Sequence, residues 1–376
     1  MSVAKEPDFK HGQAPQTGIL LVNLGTPESP TPAAVRRYLA QFLSDTRVVE
    51  IPPWVWKVIL HGIILRVRPA KSAAKYASIW TKEGSPLRVW TEKQTALLQG
   101  FMGEQGHRVL VRHAMRYGQP SIGSQLSALK AEGATRILIV PLYPQYSGAT
   151  TASVMDDVFT WGRQTRALPE LRHINHFHDD PGYLNALADS VKAHWSSHGR
   201  AGKLLMSFHG MPQRTLQLGD PYHCECLKTG RLLAEQLGLS EQEYVVTFQS
   251  RFGKAKWLQP YTEPTLRELG RAGVARVDVI CPGFVSDCIE TLEEIAMEGK
   301  EAFLSSGGKE FNYIACLNDR LTWIRALSQL VTVHLQGWPT LASQASEPGQ
   351  LLLQRERALA KGSATNGERH QPPVAG

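Results

Sequence analysis

The sequence predicts an α/β protein with two similar halves, each containing a parallel sheet wrapped by helices. Short apolar runs alternate with amphipathic segments, which is typical of parallel sheets. A chain of 376 residues also exceeds the size at which a single core usually stops growing. Two segments occur in related copies: GILLVNLGTP from Gly18 is similar to KLLMSFHGMP from Lys203, and GATRILIVPLYPQYSGATT from Gly133 is similar to GVARVDVICPGFVSDCIET from Gly273.

Apolar runs predict eight strands, at residues 18–24, 108–115, 136–142, 171–177, 203–209, 243–249, 277–280 and 312–316. Thr31 followed by Pro32 is typical of a helix start, and Gly238 is typical of a helix end. We expect disorder at residues 1–16 and in the tail at 338–376, which is rich in polar residues, Gly and Pro.

The composition is that of a globular protein, with 42% hydrophobic and 20% charged residues. The net charge of +7 is spread thinly, without basic runs among aromatic residues, so we predict no nucleic-acid partner. Five cysteines favour free thiols in a reducing compartment. The apolar segment 54–65 is too short to span a membrane, which predicts a cytoplasmic protein and leaves open peripheral contact with the inner face of the membrane.

His209 is predicted at the carboxyl end of a parallel strand, because the run 203–209 breaks at Gly210. Ligands of open α/β sheets bind at that end. The related copy has Leu24 at this position, so only one half carries a reactive side chain there. This asymmetry predicts an enzyme with its site in a cleft, and a structural histidine at a strand end is the alternative.

Four carboxylates follow another predicted strand end, and on a regular helix they share one face: Asp287, Glu290, Glu294 and Glu298. A solvated helix face, with Asp287 as the cap, is the ordinary interpretation. Glu290, however, begins a helix directly after a strand, which predicts it on the same side of the crevice as His209. A histidine and a carboxylate in one crevice suit metal handling or proton transfer.

The apolar segment 54–65 is followed by cationic, aromatic and hydroxyl side chains: Arg66, Arg68, Tyr76, Trp80 and Ser85. This lip would suit a large flat ligand that carries carboxylates. A core helix with snorkelling arginines is the alternative.

The segment 223–226, HCEC, is similar to half of a zinc or iron–sulfur site, but no second cysteine pair follows, which favours surface thiols. The chain has no G-x-G-x-x-G after a strand, no Walker A, no G-x-S-x-G and no H-E-x-x-H. Dehydrogenase, NTPase, α/β-hydrolase and zincin functions therefore lose their usual support.

From about residue 18 to about residue 333, the chain resembles the ferrochelatase family. The motifs that carry the resemblance are LLVNLGTP at 20–27, GSP at 84–86, MRYGQPSI at 115–122, PLYPQYS at 141–147, SFHGMPQR at 207–214, FQSRFGKAKWLQPYTEPTL at 248–266 and CPGFVSDCIETLEEI at 281–295.

The resemblance implies two Rossmann-like, chelatase-type domains at 17–165 and 166–317, each a four-stranded parallel sheet flanked by helices. A C-terminal helix at about 318–335 would pack on the first domain. The implied reaction is a lyase reaction, insertion of Fe²⁺ into protoporphyrin IX to form protohaem with release of two protons. Porphyrin and ferrous iron are then substrates, with no tightly bound cofactor. We expect no [2Fe–2S] cluster because no cysteine follows Cys316. A coproporphyrin or related tetrapyrrole chelatase, or a non-catalytic tetrapyrrole carrier, remains an alternative.

The resemblance also implies roles for single residues. His209 and Glu290 match the family's catalytic and metal-binding pair, and three further acids would extend a route to the surface: Asp287, Glu294 and Glu298. Five residues are expected to bind the porphyrin, the first three through its propionates and the last two as walls: Arg68, Tyr76, Ser85, Trp257 and Phe284. Leu24 stands where some members have a tyrosine. We expect His209 to abstract protons while the carboxylates deliver the metal.

Overall fold

The computed structural model describes residues 6–7, 14–253, 255–341 and 348–360. In this part of the chain, eight strands form two four-stranded sheets with the same strand order. The first sheet has the order β2-β1-β3-β4, and its strands in chain order are β1 (Gln16–Gly25), β2 (Val109–Tyr117), β3 (Ala134–Pro141) and β4 (Glu170–His173). The second has the order β6-β5-β7-β8, with β5 (Lys203–His209), β6 (Tyr244–Gln249), β7 (Arg276–Ile280) and β8 (Glu310–Ile314). All pairings are parallel, so the predicted fold class is confirmed.

The first half contains six α-helices and two π-helical turns among the described residues. They are α1 (Pro32–Phe42), α2 (Pro53–Ile59), a π-helical turn (Leu60–Ile64), α3 (Leu65–Ile79), α4 (Pro86–Glu104), α5 (Ile122–Ala131), a second π-helical turn (Gly148–Ala152) and α6 (Ser153–Arg163). As the sequence predicts, the Thr31 side chain caps α1 by accepting a hydrogen bond from the Ala34 amide.

The remaining described helices are α7 (Pro181–His198), α8 (Gln213–Gln217), α9 (Tyr222–Leu237), α10 (Thr262–Arg271), α11 (Ile289–Leu292), a π-helical turn (Glu294–Gly299), α12 (Lys300–Leu304), α13 (Leu321–His334) and α14 (Pro348–Ala360). Gly238 ends α9 in the left-handed conformation, with φ of 63°. Helix α13 packs against α4 and α7 and so joins the two halves. None of the helices in the described residues has the length and hydrophobicity needed to cross a membrane.

The central strands are buried on both faces, as expected for parallel sheets covered by helices. In β1, Ile19 and Leu21 contribute to one hydrophobic core, and Leu20 and Val22 contribute to another. The first core also contains Phe208 of β5 and residues of α7, α9 and α13. The two halves therefore share one core, which holds the carboxyl ends of β1 and β5 in a fixed relationship.

Three predicted boundaries differ from the structure. Strand β4 pairs with β3, so the first sheet extends past the predicted division between residues 165 and 166. At the N-terminus, Gln16 already belongs to β1, and the Glu6 carboxylate accepts a hydrogen bond from the Arg166 amide at 2.6 Å. In the predicted disordered tail, residues 348–360 form α14, because the run QLLLQRERALA consists largely of strong helix formers. Residues 338–341 of that tail are also ordered, and Trp338 is buried, with its Nε1 donating to Glu170 at 2.8 Å. The disorder predicted at 1–5, 8–13, 342–347 and 361–376 lies outside the described residues.

Candidate active site

His209 is the last residue of β5, and its side chain is only partly buried. Its Nδ1 lies 2.7 Å from the carbonyl oxygen of Gly210. Since a carbonyl oxygen only accepts, this contact places a proton on Nδ1, and the lone pair of the neutral imidazole is then on Nε2. The Tyr222 hydroxyl donates to the His209 carbonyl oxygen at 2.9 Å and holds the backbone at the strand end. The arrangement presents a basic nitrogen in a fixed orientation.

Gly210 allows a close approach between the end of β5 and its neighbours. Its amide donates to the carbonyl oxygen of Gln249 at 2.7 Å. A Cβ at residue 210 would lie 2.5 Å from that oxygen and 3.2 Å from the Trp257 ring, so any larger residue must displace the strand end. The glycine therefore brings His209 and Trp257 together.

Gln249 links the strand end to the acidic helix. Its Nε2 donates to the Glu290 carbonyl oxygen at 2.7 Å, and its Oε1 accepts from the Ser207 hydroxyl at 2.8 Å. Residue 249 is also the β6 partner of His209. The Gln249 side chain thus fixes the start of α11 relative to the end of β5. Gln249 was not among the site residues predicted from the sequence.

Glu294 is the acid most firmly held near His209. Its carboxylate accepts hydrogen bonds from the Ser250 amide at 2.6 Å and from the Ser250 hydroxyl at 2.5 Å. Ser250 has φ of 65°, an uncommon conformation for a residue with a side chain. Burial raises the pKa of Glu294, and the charge of Glu290 adds to this effect, whereas the Ser250 bonds and the charge of His209 oppose it. The three ionisable groups therefore interact within one region.

Glu290 also interacts with tyrosines of the first half. Burial raises the pKa of Tyr76, and the charge of Glu290 raises it further. The pKa of Tyr38 is raised by burial, by Tyr76 and by Glu290. The two tyrosine rings pack edge to face, with centroids 6.3 Å apart. Leu24 and Ile289 pack against the same hydrophobic cluster, so Glu290 lies where the two halves meet.

The four predicted acids do not lie along one helix face. Asp287 precedes α11 and is buried, with its carboxylate accepting from Tyr313 Oη at 2.5 Å and from Asn318 Nδ2 at 2.6 Å. The regular helix assumed from the sequence is instead four residues of α11 followed by a π-helical turn, which changes the angular spacing of the side chains. Asp287 is therefore held by Tyr313 and by the loop at Asn318, away from a helix face shared with the other three acids.

Glu298 is held by a cation of the first half. Lys75 of α3 donates to Glu298 at 2.7 Å and also pairs with Glu293 at 2.9 Å. Glu293 is 8% exposed, and the sequence analysis missed it because an ion pair between distant residues leaves no local pattern.

The residues predicted to bind porphyrin differ in their surroundings. Arg68 lies over the Phe252 ring, 5.0 Å from its centroid, and no carboxylate of the described chain pairs with it. Tyr76 is buried beside Glu290 as described above. Ser85 is 3% exposed and accepts from the Thr26 hydroxyl at 2.7 Å. Phe284 packs against the core of the second half. Trp257 instead lies beside Gly210, at the end of β5. Ser85 is thus the least accessible of these residues.

The predicted lip is largely exposed. Four apolar side chains of α2, the following π-helical turn and α3 are at least 58% exposed: Trp54, Val58, Ile63 and Val67. Leu60, Leu65 and Tyr76 of the same segment are buried against α1. The segment therefore has one face anchored in the first half and a second apolar face that the described residues leave open.

Comparison with known proteins identifies the family. The family model for ferrochelatase matches residues 16–335. The chain belongs to the ferrochelatase family. A ferrochelatase of Polaromonas sp. strain JS666 is 64% identical over 367 residues, which cover 96% of this chain and 100% of that protein. A ferrochelatase of Methylibium petroleiphilum is 64% identical over 363 residues, covering 96% of this chain and 99% of that protein.

The fold is similar to that of the solved structure of SirB from Bacillus subtilis with Fe³⁺, with a TM-score of 0.51 and 13% identity. The match covers 84% of this chain and 94% of that one, and at this identity it concerns the fold alone. Members of the ferrochelatase family are lyases that insert iron into a porphyrin in haem synthesis. The family, enzyme class and reaction predicted from the sequence are therefore confirmed.

Proposed function

We propose that this chain inserts Fe²⁺ into protoporphyrin IX at the junction of its halves, with His209 Nε2 as the acceptor of the pyrrole protons. The observation that carries the proposal is the contact between His209 Nδ1 and the Gly210 carbonyl oxygen, 2.7 Å, which places the lone pair of the neutral imidazole on Nε2. A base held in this way contributes about 10² to 10⁴ in rate.

The porphyrin binds between the tyrosine cluster of the first half and the strand end of the second. Leu24, Tyr38 and Tyr76 supply an apolar surface on one side, and Trp257 supplies an aromatic surface beside His209. Arg68 at the lip has no carboxylate partner in the described part of the chain and suits a propionate, because an arginine and a carboxylate form paired charged hydrogen bonds. Binding along these surfaces supplies about 1–5 kcal/mol for bending the macrocycle, which exposes the pyrrole nitrogens.

Proton removal and metal delivery use different groups in this proposal. One imidazole nitrogen cannot hold a proton and a metal ion at the same time, so His209 takes the protons and Glu290 offers oxygen ligands to the incoming Fe²⁺. Glu294, whose raised pKa favours the protonated form, passes protons outward. Glu298 lies further along the same segment, with Lys75. Iron is a substrate in this scheme, and we propose that neither a tightly bound cofactor nor a [2Fe–2S] cluster takes part.

The open face of the lip supports peripheral contact with the inner face of the membrane, in a protein that is otherwise cytoplasmic. Trp54 is 78% exposed and Val58 is 73% exposed, and apolar side chains of this kind insert at the boundary between headgroups and acyl chains. Sedimentation with anionic lipid vesicles tests this contact, and Trp54→Ala is expected to weaken it. If the wild type and Trp54→Ala sedimented equally with the vesicles, the lip would have a role in porphyrin binding only.

The decisive experiment is anaerobic incubation with Fe²⁺ and protoporphyrin IX, followed by haem absorbance, with coproporphyrin III assayed in parallel. Faster turnover of protoporphyrin IX is expected. Faster turnover of coproporphyrin III would instead identify the chain as a coproporphyrin chelatase. Stoichiometric binding of haem without metallation of the free porphyrin would identify a carrier and overturn the proposal.

A further inference from the structure

A cluster of two histidines and one glutamate lies outside the cleft. His176 and His178 belong to the segment between β4 and α7, and Glu225 belongs to the first turns of α9. One ligand atom from each residue can be chosen so that all lie within 4.8 Å of one another. In the part of the chain that the structure describes, this is the one group of at least three potential metal ligands with such spacing.

His178 has a buried ring nitrogen that makes no hydrogen bond with the described residues. It is 6% exposed, and its Nδ1 is buried without a hydrogen-bond partner among the described residues, although it lies 3.4 Å from Glu225 Oε2. A buried polar atom without a partner is costly and rare in native structures. A neutral nitrogen facing a carboxylate oxygen is satisfied by a cation between them.

The spacing suits a small transition-metal ion. Nitrogen and oxygen ligands about 2.0–2.1 Å from tetrahedral Zn²⁺ lie about 3.3 Å from each other. The separation of His178 Nδ1 and Glu225 Oε2, 3.4 Å, already has this value. His176 Nδ1 is 2.7 Å from Glu225 Oε1 and must move slightly apart to admit the ion. The His176 side chain is 44% exposed, which provides an entrance and a position for a water ligand.

Neighbouring groups hold these ligands in place. The Tyr146 amide donates to Glu225 Oε2 at 2.7 Å, which orients the carboxylate. The Thr229 hydroxyl is 2.8 Å from the His178 carbonyl oxygen and ties the histidine segment to α9. Asp179 pairs with Lys228 at 2.5 Å, so these two nearby charges neutralise each other. Supporting contacts of this kind are what metal ligands require.

We propose that His176, His178 and Glu225 form a second divalent metal site of the Zn²⁺ or Fe²⁺ class, which clamps the segment after β4 to α9. Two imidazoles and one carboxylate with an open position are a ligand set that these metals share. The sequence HCEC at 223–226 thus contributes its glutamate, with Cys224 exposed and Cys226 buried. The site is distinct from the proposed iron-insertion site at His209.

The test is a titration of the full chain with Co²⁺, without porphyrin, followed by visible absorption. A protein with His209→Ala and Glu290→Gln serves as the background, because it lacks both residues to which metal handling in the cleft is assigned. Strong visible bands of low-coordinate Co²⁺ are expected to remain in this background and to be lost with added His178→Ala. Glu225→Gln is expected to weaken Co²⁺ binding by at least about 10- to 100-fold. That is the usual loss of metal affinity when a residue that only supports a ligand is mutated, and Glu225 is itself a proposed ligand.

His194→Ala is the matched control, because His194 and His198 form another close pair, with ring centroids 4.4 Å apart. It is expected to leave the bands unchanged. His176→Ala removes an exposed ligand and keeps the test informative if the buried substitutions prevent folding. Zn²⁺ is also expected to raise the Tm of the background protein but not of the background protein with added His176→Ala. Absence of bands in the background protein, or bands that persist when His176→Ala or Glu225→Gln is added to it, would overturn the proposal.

Discussion

Lys75 and Glu293 form an ion pair between the two halves, with Nζ 2.9 Å from Oε1. Lys75 lies on α3, the helix that continues the lip, and Glu293 lies between α11 and the π-helical turn. Burial raises the pKa of Glu293, and Lys75 opposes that effect. The lip is thereby tied to the acidic segment that follows Glu290.

Lys75→Ala is expected to raise the KM for porphyrin more than it lowers kcat, because the lip loses its attachment to the second half while His209 is untouched. Lys75 is 45% exposed, so the loss of stability is expected to be small, about 1 kcal/mol. Steady-state kinetics and urea unfolding measure the two effects. Lys71→Ala is the control, because Lys71 is on the same helix and makes no ion pair with the described residues, and an equal effect of both substitutions would contradict the proposed role of the Lys75–Glu293 pair.

Gly210→Ala is expected to destabilise the protein by about 1–3 kcal/mol, as overpacking usually does, and to lower insertion activity. The added Cβ would lie 2.5 Å from the Gln249 carbonyl oxygen, which forces the end of β5 away from β6 and moves His209. Thermal unfolding and insertion kinetics measure the change. Gly202→Ala, where nothing lies within 4 Å of the new Cβ, is expected to leave activity unchanged. Full activity of Gly210→Ala would show that the position of His209 tolerates this shift.

The strands were predictable because their cause is local. Runs of apolar residues such as 203–209 are buried on both faces. A short apolar run between turn residues is typical of a buried strand and is too short for most helices. The acidic segment was not predictable in the same way. Periodicity assumes 3.6 residues per turn, and the π-helical turn at Glu294–Gly299 changes that spacing without a marker in the sequence.

Contacts between distant residues were also missed. Gln249 binds the carbonyl oxygen of residue 290, and Glu225 meets His176 across 49 positions of the chain. Neither polar residue interrupts a helix or strand pattern, so nothing in one sequence distinguishes it from a surface residue. The position of His209 at the end of a strand was predictable because the apolar run stops there at a glycine, whereas its catalytic role stays a prediction.

Glu294→Gln is expected to change how stability depends on pH. The raised pKa of Glu294 means that the folded state keeps its proton above the ordinary value of 4.5. The stabilising contribution of this proton is full below pH 4.5 and is lost as pH rises through the folded pKa. As pH rises above 4.5, the free energy of unfolding of Glu294→Gln is therefore expected to increase relative to that of the wild type. Urea unfolding over a pH series measures this, with the exposed Glu301→Gln as the control. A difference that does not vary with pH would contradict the assignment.

Arg68→Ala is expected to raise the KM for protoporphyrin IX by about 10- to 100-fold, because one charged hydrogen bond is worth about 1.5–3 kcal/mol. Its guanidinium has the Phe252 ring beneath it and no carboxylate partner in the described chain, so a propionate is a suitable partner. Arg66→Ala, two positions away and exposed, provides the comparison. The measurement is KM with protoporphyrin IX and with a porphyrin that lacks propionates. If Arg68→Ala weakened binding of both porphyrins equally, the contact would be with the ring and not with an acid group.

His209→Ala is expected to lower kcat by about 10² to 10⁴ while the KM for the metal changes little, because His209 Nε2 takes the pyrrole protons and the carboxylates bind the ion. Zn²⁺ and Co²⁺ are expected to be inserted by the wild type as well, since the order of metal affinities does not favour Fe²⁺ over either. Zn²⁺ insertion is therefore a convenient assay in air, followed by porphyrin fluorescence, with anaerobic Fe²⁺ assays as confirmation. His173→Ala, an exposed histidine at the end of β4, is the matched control and should retain wild-type rates. If His209→Ala kept an ordinary kcat but required a much higher Fe²⁺ concentration, His209 would be a metal ligand, and proton removal would have to be assigned to the carboxylates.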